Sequence, residues 1–270
     1  MRGINPKDNS LIGKLINSTV YVCSRNGSRF KTGTGFLLSE NISDTQAQLF
    51  LVTNKHVIKN SNNIELTFRT LNKGNFEGFK ISISANQFYL SREVDLAIAN
   101  TVPFHRQFDQ NNIQFLNKYI PLDYLASKTQ LEALQALEEI YFIGYPNSII
   151  DNYNLVPIIR KGITATPAYF DFNSQPLFLI DGSVIPGSSG SPVVIANQGS
   201  YTTEEGIVFG TRFMVLGILT IGFKQLPANS PLQPVSASFS EDQLVGLGAV
   251  IKSTEILKEI ATIKSQLGFM

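Results

Sequence analysis

The stretch that decides the fold is Pro186-Gly187-Ser188-Ser189-Gly190-Ser191-Pro192, which runs directly into the apolar segment Val193-Val194-Ile195. Glycines on both sides of the serine pair permit backbone conformations that turn amides and a hydroxyl toward one point. Fixed amide donors of this kind stabilise a tetrahedral oxyanion, so the segment predicts a nucleophile loop built around Ser189. The alternative is a Gly/Ser-rich surface turn, and the buried-looking strand that follows counts against it.

Short strand-like runs, separated by Asn, Ser and Gly clusters, extend on both sides of this loop. We predict strands at Ser18–Cys23, Thr34–Leu38, Leu49–Thr53, Asn63–Arg69, Phe79–Ser84, Val94–Ala99, Glu139–Ile143, Ile158–Thr164, Leu177–Ile180, Pro192–Ile195, Phe213–Thr220 and Gly246–Ile251. Many short strands with turn signals between them favour an all-β fold of barrels or a sandwich. Apolar residues at helical spacing predict amphipathic helices at Ser127–Leu137 and Thr254–Leu267, to which we assign packing and no chemistry.

Composition excludes several classes of partner. The chain has 270 residues, is 43% hydrophobic and carries a net charge of +1, with no tract of Lys or Arg. It can therefore bury a sizeable core, and we expect neither nucleic acid nor membrane as a partner. No stretch approaches the roughly 20 apolar residues of a membrane span.

Cysteine usage and the first residues bear on location. Cys23 is the only cysteine, so the fold has no internal disulfide, which favours a reducing compartment. The N-terminal segment contains no apolar core of a secretory signal. We therefore predict a cytoplasmic protein, with export by a signal missing from this sequence as the alternative.

A serine hydroxyl is a weak nucleophile unless a base accepts its proton. The chain has two histidines. His56 closes an apolar strand, whereas His105 lies at the start of a linker-like stretch, so His56 is the candidate base. Asp95 heads the apolar run Val94–Ala99, where a buried carboxylate needs a partner such as a histidine. Asp44, Asp109 and Asp123 stand in polar surroundings typical of caps or turns.

Several motifs, in this order along the chain, carry a resemblance to a known family. They are Thr32-Gly33-Thr34-Gly35-Phe36, Thr53-Asn54-Lys55-His56-Val57, Val94-Asp95-Leu96-Ala97, Ile143-Gly144-Tyr145-Pro146, Lys161-Gly162-Ile163, the stretch 181–192, Val215-Leu216-Gly217-Ile218 and the stretch 246–257. In order and spacing the chain resembles the trypsin-like serine peptidases, and most of all the high-temperature-requirement proteases and glutamyl endopeptidases.

The resemblance implies two packed six-stranded antiparallel β-barrels with a C-terminal helix and a short helix between the barrels. We expect a single unit over 1–270, with the first barrel at 10–105, a linker at 106–138, the second barrel at 139–252 and the helix at 253–267. No peptide-binding (PDZ) domain is expected after the helix. Ser188 stands where pancreatic-type enzymes carry an aspartate that pairs with a freed N-terminus, so that mode of activation is not expected here.

The resemblance also implies roles for individual residues. His56, Asp95 and Ser189 would form a catalytic triad, and the amides of Gly187 and Ser189 the oxyanion hole. The substrate pocket would be formed by Ser183, Ile218, Leu219, Thr220 and the Gly246–Gly248 segment, including Gly248. These residues are uncharged, which predicts cleavage after small or medium apolar residues, whereas a carboxylate of Asp181 in the pocket would instead favour Lys or Arg.

The predicted function is therefore serine endopeptidase activity on protein or peptide substrates through an acyl-enzyme. One alternative is an inactive binding or regulatory module with the same fold, and another is an enzyme that a protein partner activates. No cofactor and no metal are expected, because Cys23, His56 and His105 lack ligand spacing. Cys23 alternates within a strand and is not a candidate nucleophile, and no phosphate loop follows Gly35.

Overall fold

The computed structural model describes residues 10–43, 46–72, 75–224, 233–234 and 244–266. Its strands, in chain order, are β1 Thr19–Asn26, β2 Arg29–Ser43, β3 Gln46–Thr53, β4 Asn63–Asn72, β5 Asn75–Ile83, β6 Phe88–Leu90, β7 Ala97–Asn100, β8 Gln114–Phe115, β9 Ile120–Pro121, β10 Glu139–Gly144, β11 Ile158–Thr164, β12 Leu177–Asp181, β13 Pro192–Asn197, β14 Ser200–Thr203, β15 Gly206–Phe209, β16 Arg212–Lys224, β17 Gln233–Pro234 and β18 Leu244–Lys252. Its helices are α1 Leu11–Ser18, α2 Lys55–Ile58, α3 Val102–Gln110, α4 Lys128–Glu132 and α5 Ser253–Gln266.

The first large sheet contains nine strands, in the order β5-β4-β1-β2-β3-β7-β6, with β8 paired to β4 and β9 to β2. Side chains along β4 alternate between buried and less buried positions, as expected for a strand with one face on a core. That core includes Val22, Leu51 and Phe68, with Phe108 of α3 packed edge-on against Phe68. Strands β8 and β9 come from the stretch expected to be linker and extend the sheet.

The second large sheet closes on itself. Six strands follow the order β13-β10-β11-β12-β18-β16, and β16 pairs back to β13, while β17 continues from β16. Phe142, Val193 and Leu219 belong to its fully buried core. The all-β fold of two packed units is therefore confirmed. Within the described residues, no pairing joins β5 to β7 to close the first sheet in the same way.

A third apolar cluster lies between the two sheets. It combines Phe36 and Val52 of the first sheet with Ile143 and Ile218 of the second, together with Ile256 of α5. Burying one such side chain contributes about 1.5–3 kcal/mol. Several of them together fix the position of the first sheet relative to the second, and so of any site that draws residues from both.

The helices differ from the sequence expectation, which included neither α2 nor α3. Helix α1 forms where no helix was predicted, with the Ser10 hydroxyl accepting from the Gly13 amide. Helix α4 has the predicted capping box of Ser127 and Gln130 but spans only five residues. Helix α5 begins at Ser253, and the predicted end at Leu267 lies outside the described residues. None of the described helices is long and apolar enough to cross a membrane.

Candidate active site

His56 and Asp95 come together because strands β3 and β7 are neighbours. Thr53, the last residue of β3, pairs with Ala97, the first residue of β7. His56 follows β3 in the short helix α2, and Asp95 lies in the bend just before β7. His56 Nδ1 is 2.5 Å from Asp95 Oδ2, and the backbone amide of His56 donates to Asp95 Oδ1 at 2.8 Å.

Three hydrogen bonds converge on the Asp95 carboxylate, since the Thr220 hydroxyl also donates to Oδ2 at 2.6 Å. Burial alone raises the pKa of Asp95, but the hydrogen bond and charge of His56 and the hydrogen bond from Thr220 outweigh burial and lower it. The carboxylate is thus held ionised. It orients the His56 ring by accepting from Nδ1, which leaves Nε2 as the nitrogen able to accept a proton.

The loop that carries Asp95 is fixed on its other side by α5. The Ser91 hydroxyl accepts from the amide of Val94 and donates to the buried carboxylate of Glu259 at 2.5 Å. The Lys55 ammonium donates to the Ser91 carbonyl at 2.8 Å, and the Asn54 side-chain amide to the Asp95 carbonyl at 3.0 Å. The residues beside His56 therefore hold both ends of the loop.

The segment around Ser189 requires glycine on both sides. Gly187 and Gly190 have φ of +85° and +89°, in the left-handed region. A β-carbon on Gly187 would lie 2.5 Å from the Tyr145 carbonyl oxygen, and one on Gly190 only 1.7 Å from the Thr34 carbonyl oxygen. No other residue fits at either position, which is the physical reason for the Gly-Ser-Ser-Gly sequence.

Thr34 ties this loop to the first sheet. Its amide donates to the Ser189 carbonyl at 2.8 Å, and its hydroxyl donates to the Gly187 carbonyl at 3.2 Å and accepts from the Tyr145 amide at 3.1 Å. Sequence reasoning singled out the glycine-rich stretch but missed the role of Thr34. A lone β-branched hydroxyl residue between Gly33 and Gly35 is the signal that could have identified it.

The Ser189 hydroxyl points at Thr220. It donates to the Thr220 carbonyl at 2.9 Å, and no hydrogen bond joins it to His56 anywhere in the described part of the chain. Thr220 therefore contacts both halves of the site, through its hydroxyl to Asp95 and its carbonyl to Ser189. It was predicted only as a pocket wall, although a threonine inside the apolar run 213–223 could have indicated a polar role.

The amides expected to form the oxyanion hole have no acceptor among the described residues. Neighbouring amides are occupied, since Ser188 donates to Ile185, Gly190 to Leu219 and Ser191 to Ser188. Among the described residues, the N–H groups of Gly187 and Ser189 are thus free donors, as are those of Val184 and Ile185 earlier in the loop, and free donors are what binding of an oxyanion requires.

The residues expected to form the pocket lie in different surroundings. Ser183 is exposed, with φ of +49°, and Ile218 and Leu219 are fully buried in two different apolar clusters. A β-carbon on Gly248 would lie 2.6 Å from Val184 Cγ2, so Gly248 allows this close packing. Asp181 is exposed, and its Oδ1 would be 3.3 Å from a β-carbon on Gly246.

The second histidine lies away from this constellation. His105 Nε2 is 2.8 Å from the Tyr119 hydroxyl, and its ring packs edge-on against Phe115. Burial lowers the pKa of His105, with a smaller opposing effect from Asp109. Cys23 is buried. The described residues include no group of three metal-ligating side chains.

Comparisons with known proteins agree with this architecture. The sequence profile of the trypsin-like peptidase domain matches residues 33–201, a range that includes His56, Asp95 and Ser189. No curated protein sequence matches the chain.

Many solved structures are similar to this chain, among them the following two. The first is an inactive form of Rv3671c from M. tuberculosis H37Rv, a serine-to-alanine mutant, at 17% identity and TM-score 0.50 over 98% of this chain and 96% of that chain. The second is a variant of the HtrA-type protease AlgW with a tripeptide, at 15% identity and TM-score 0.51 over 93% of this chain. The match spans 62% of the AlgW chain, less than two thirds. At these identities the likeness shows the fold alone.

Proposed function

We propose that this chain, which belongs to the trypsin-like peptidase domain family, is a serine endopeptidase. Its catalytic residues would be His56, Asp95 and Ser189. The observation that carries the proposal is the convergence on Thr220. One residue contacts the Asp95 carboxylate that orients His56 and the hydroxyl of the serine flanked by two left-handed glycines. A surface turn rich in glycine and serine has no need of such an arrangement.

The chemistry follows from the positions of the groups. Ser189 Oγ attacks the carbonyl carbon of a peptide bond while its proton passes to His56 Nε2. The negative charge that develops on the substrate oxygen is stabilised by the amides of Gly187 and Ser189. His56 then donates the proton to the leaving amine, and water hydrolyses the acyl-enzyme by the same steps in reverse. Asp95 stays ionised and stabilises the imidazolium.

The orientation of Ser189 supports a version of this enzyme that is activated on binding. Its hydroxyl donates to the Thr220 carbonyl, so it must turn toward His56 before it can react. Occupancy of the Thr220 carbonyl by a substrate amide would release the hydroxyl for that turn. A protein partner that remodels these loops would act in the same way, and we propose such a partner together with a protein or peptide substrate.

Covalent labelling tests the proposal most directly. Incubation with a fluorophosphonate probe should label Ser189, identified by peptide mass spectrometry, and the Ser189→Ala variant should not be labelled. Ser188→Ala and Ser191→Ala are the matched controls in the same loop and should still react. Absence of labelling in the wild type, with peptide substrates both present and absent, would favour an inactive binding module.

For specificity we propose cleavage after small or medium apolar residues. Support comes from the other residues of the expected pocket, Ser183, Thr220 and Gly248, which carry no charge, so a charged side chain entering there would lose its hydration without a partner. A digest of a peptide library measures this preference. Dominant cleavage after Lys or Arg that disappears in Asp181→Ala would instead place the Asp181 carboxylate in the pocket.

We also propose that the enzyme works in the cytoplasm. The support is that its single cysteine, Cys23, is buried in β1 as a free thiol, so the described fold depends on no disulfide. Fractionation of cells that produce the natural protein would test this location, and recovery from the culture medium would contradict it.

A further inference from the structure

Arg160 of β11 reaches beneath the loop that precedes Ser189. Its Nη1 donates to the Ser183 carbonyl at 2.9 Å, and its Nη2 donates to the Ser188 hydroxyl at 2.6 Å. The guanidinium lies over the Phe142 ring, 4.4 Å from the ring centre. One side chain thus holds the two ends of the segment 183–188, immediately before the candidate nucleophile.

This guanidinium is partly buried, yet it lacks the carboxylate partner that a cation in such a position usually has. No carboxylate forms an ion pair with Arg160 in the described part of the chain, and its Nε is buried without a hydrogen bond. Burial lowers the pKa of Arg160 to about 10. Placing an uncompensated cation in such a position costs stability, and an apolar side chain of similar volume would avoid that cost. Packing alone therefore does not account for an arginine here.

The segment that Arg160 holds adopts conformations that need support. Ser183 has φ of +49° although it carries a side chain. Such conformations persist only where the surroundings hold them in place. The Ser188 hydroxyl passes the constraint on, because it donates to the Ile185 carbonyl at 2.5 Å while it accepts from Arg160.

We propose that Arg160 is a positioning residue for the oxyanion hole, which holds segment 183–188 so that the amides of Gly187 and Ser189 face the reacting carbonyl oxygen. This inference rests on the proposed peptidase function. It assigns to a half-buried arginine, acting on Ser188, the stabilisation of the nucleophile loop. The two acceptors, the Ser183 carbonyl and the Ser188 hydroxyl, lie on different residues. The guanidinium of arginine holds its N–H donors in a planar fork that suits two such acceptors, whereas the ammonium of lysine acts as a point charge and does not.

Arg160→Met tests the role, since methionine fills much of the same volume without donors. We expect kcat to fall by about 10- to 100-fold with KM little changed, because misplacement of fixed donors by about 1 Å has costs of this size. Affinity for a peptidyl boronic acid, which forms a tetrahedral adduct, should fall by a similar factor. Affinity for the corresponding product peptide should not change. Arg160→Lys should give an intermediate loss.

Arg212→Met is the matched control. Arg212 is also a largely buried arginine over an aromatic ring, Tyr201, but it pairs with Glu138 and lies at the far end of β16 from Thr220. Its replacement should lower stability while leaving the ratio of boronate to product affinity unchanged. Equal changes in that ratio for Arg160→Met and Arg212→Met would overturn the proposal.

A double-mutant cycle with Ser188→Ala distinguishes the hydrogen bond between Arg160 and Ser188 from a general loss of order in the loop. Ser188→Ala alone should reduce kcat a few-fold, and it should cost nothing further in the Arg160→Met background. Additive losses would contradict the proposed link between the two residues.

Hydrogen exchange keeps the test independent of turnover. Peptides covering 182–191 should exchange faster in Arg160→Met, while peptides covering 51–58 should not. Unchanged exchange in 182–191 would refute the positioning role even in an inactive protein. Failure of wild-type Ser189 to react with the fluorophosphonate would count against the proposed function alone.

Discussion

The two halves of the candidate active site are built by different means. The half contributed by the first sheet relies on side chains, with His56 donating to the carboxylate of Asp95, which also accepts from Thr220 of the second sheet. The half contributed by the second barrel relies on backbone geometry, with Ser189 set between two glycines of positive φ. The first half is already assembled, whereas the Ser189 hydroxyl still faces Thr220. We therefore expect the serine half to control reactivity.

The largest expected effect comes from removing the Ser189 hydroxyl, and it distinguishes the role of that hydroxyl from the role of the loop that carries it. Ser189→Ala should lower kcat by about 10⁶-fold, the loss typical of removing a nucleophile. Ser188→Ala and Ser191→Ala leave that hydroxyl in place and should stay within about tenfold of the wild type, as measured by hydrolysis of a chromogenic peptide. Equal losses in all three variants would mean that the fold of the loop, and not the Ser189 hydroxyl, supplies the activity.

The next effect tests the side-chain half. Asp95→Asn should lower kcat by about 10⁴-fold near neutral pH, because an amide no longer fixes the tautomer of His56 or stabilises its charged form. Fluorophosphonate labelling should slow by a comparable factor. The amides of Gly187 and Ser189 are unaffected, so binding of a peptide aldehyde should fall less than turnover. Retention of full activity would remove Asp95 from the mechanism.

A smaller effect is expected at the residue that joins the two halves. Thr220→Val removes the hydroxyl that donates to Asp95 but keeps the carbonyl that accepts from Ser189. A hydrogen bond to a charged group contributes about 1.5–3 kcal/mol, which corresponds to a loss of about 10- to 100-fold in kcat.

Thr220→Ser is the matched control, because it restores the hydroxyl and should recover most of the activity. Thr220→Val should also cost less in the Asp95→Asn background, where the charge it stabilises is gone. Full additivity of the two losses would show that Thr220 acts elsewhere, for example as the pocket wall first expected.

Sequence alone predicted the fold well for a physical reason. Left-handed glycines such as Gly187 and Gly190 and alternating strands such as β4 are local requirements that leave local patterns. The same locality explains why the all-β architecture and the family could be predicted and are confirmed. Helix α1 was missed because its short apolar run was considered only as a possible secretory signal and not as an amphipathic helix.

The rest depended on contacts between distant parts of the chain. Thr34 lies 155 residues before Ser189, and its hydrogen bonds to the nucleophile loop have no signature in its neighbours. No pattern in the strand Ile158–Thr164 singles out Arg160, yet its side chain donates to the Ser188 hydroxyl. The triad assignment remains a prediction, and the experiments on Ser189 and Asp95 decide it.

The smallest effect concerns the other histidine, His105 of α3, and it sharpens the contrast with His56. Burial holds the pKa of His105 below its ordinary value, against a weaker opposing effect of Asp109. The folded state therefore favours neutral His105, and the unfolded chain takes up the proton first as pH falls. The stability that neutral His105 contributes is complete above the unfolded pKa of about 6.5 and is lost as pH drops below it.

His105→Gln can keep a hydrogen bond to Tyr119 without titrating. Between pH 7.5 and 5.5 the wild-type Tm should fall further than that of His105→Gln, by on the order of 2 °C in thermal unfolding followed by circular dichroism. The kcat of His105→Gln at pH 8 should equal that of the wild type, whereas His56→Gln should abolish turnover. Parallel Tm curves for wild type and His105→Gln would show that His105 is not the titrating group, and a loss of kcat in His105→Gln would mean that the two histidines had been assigned the wrong roles.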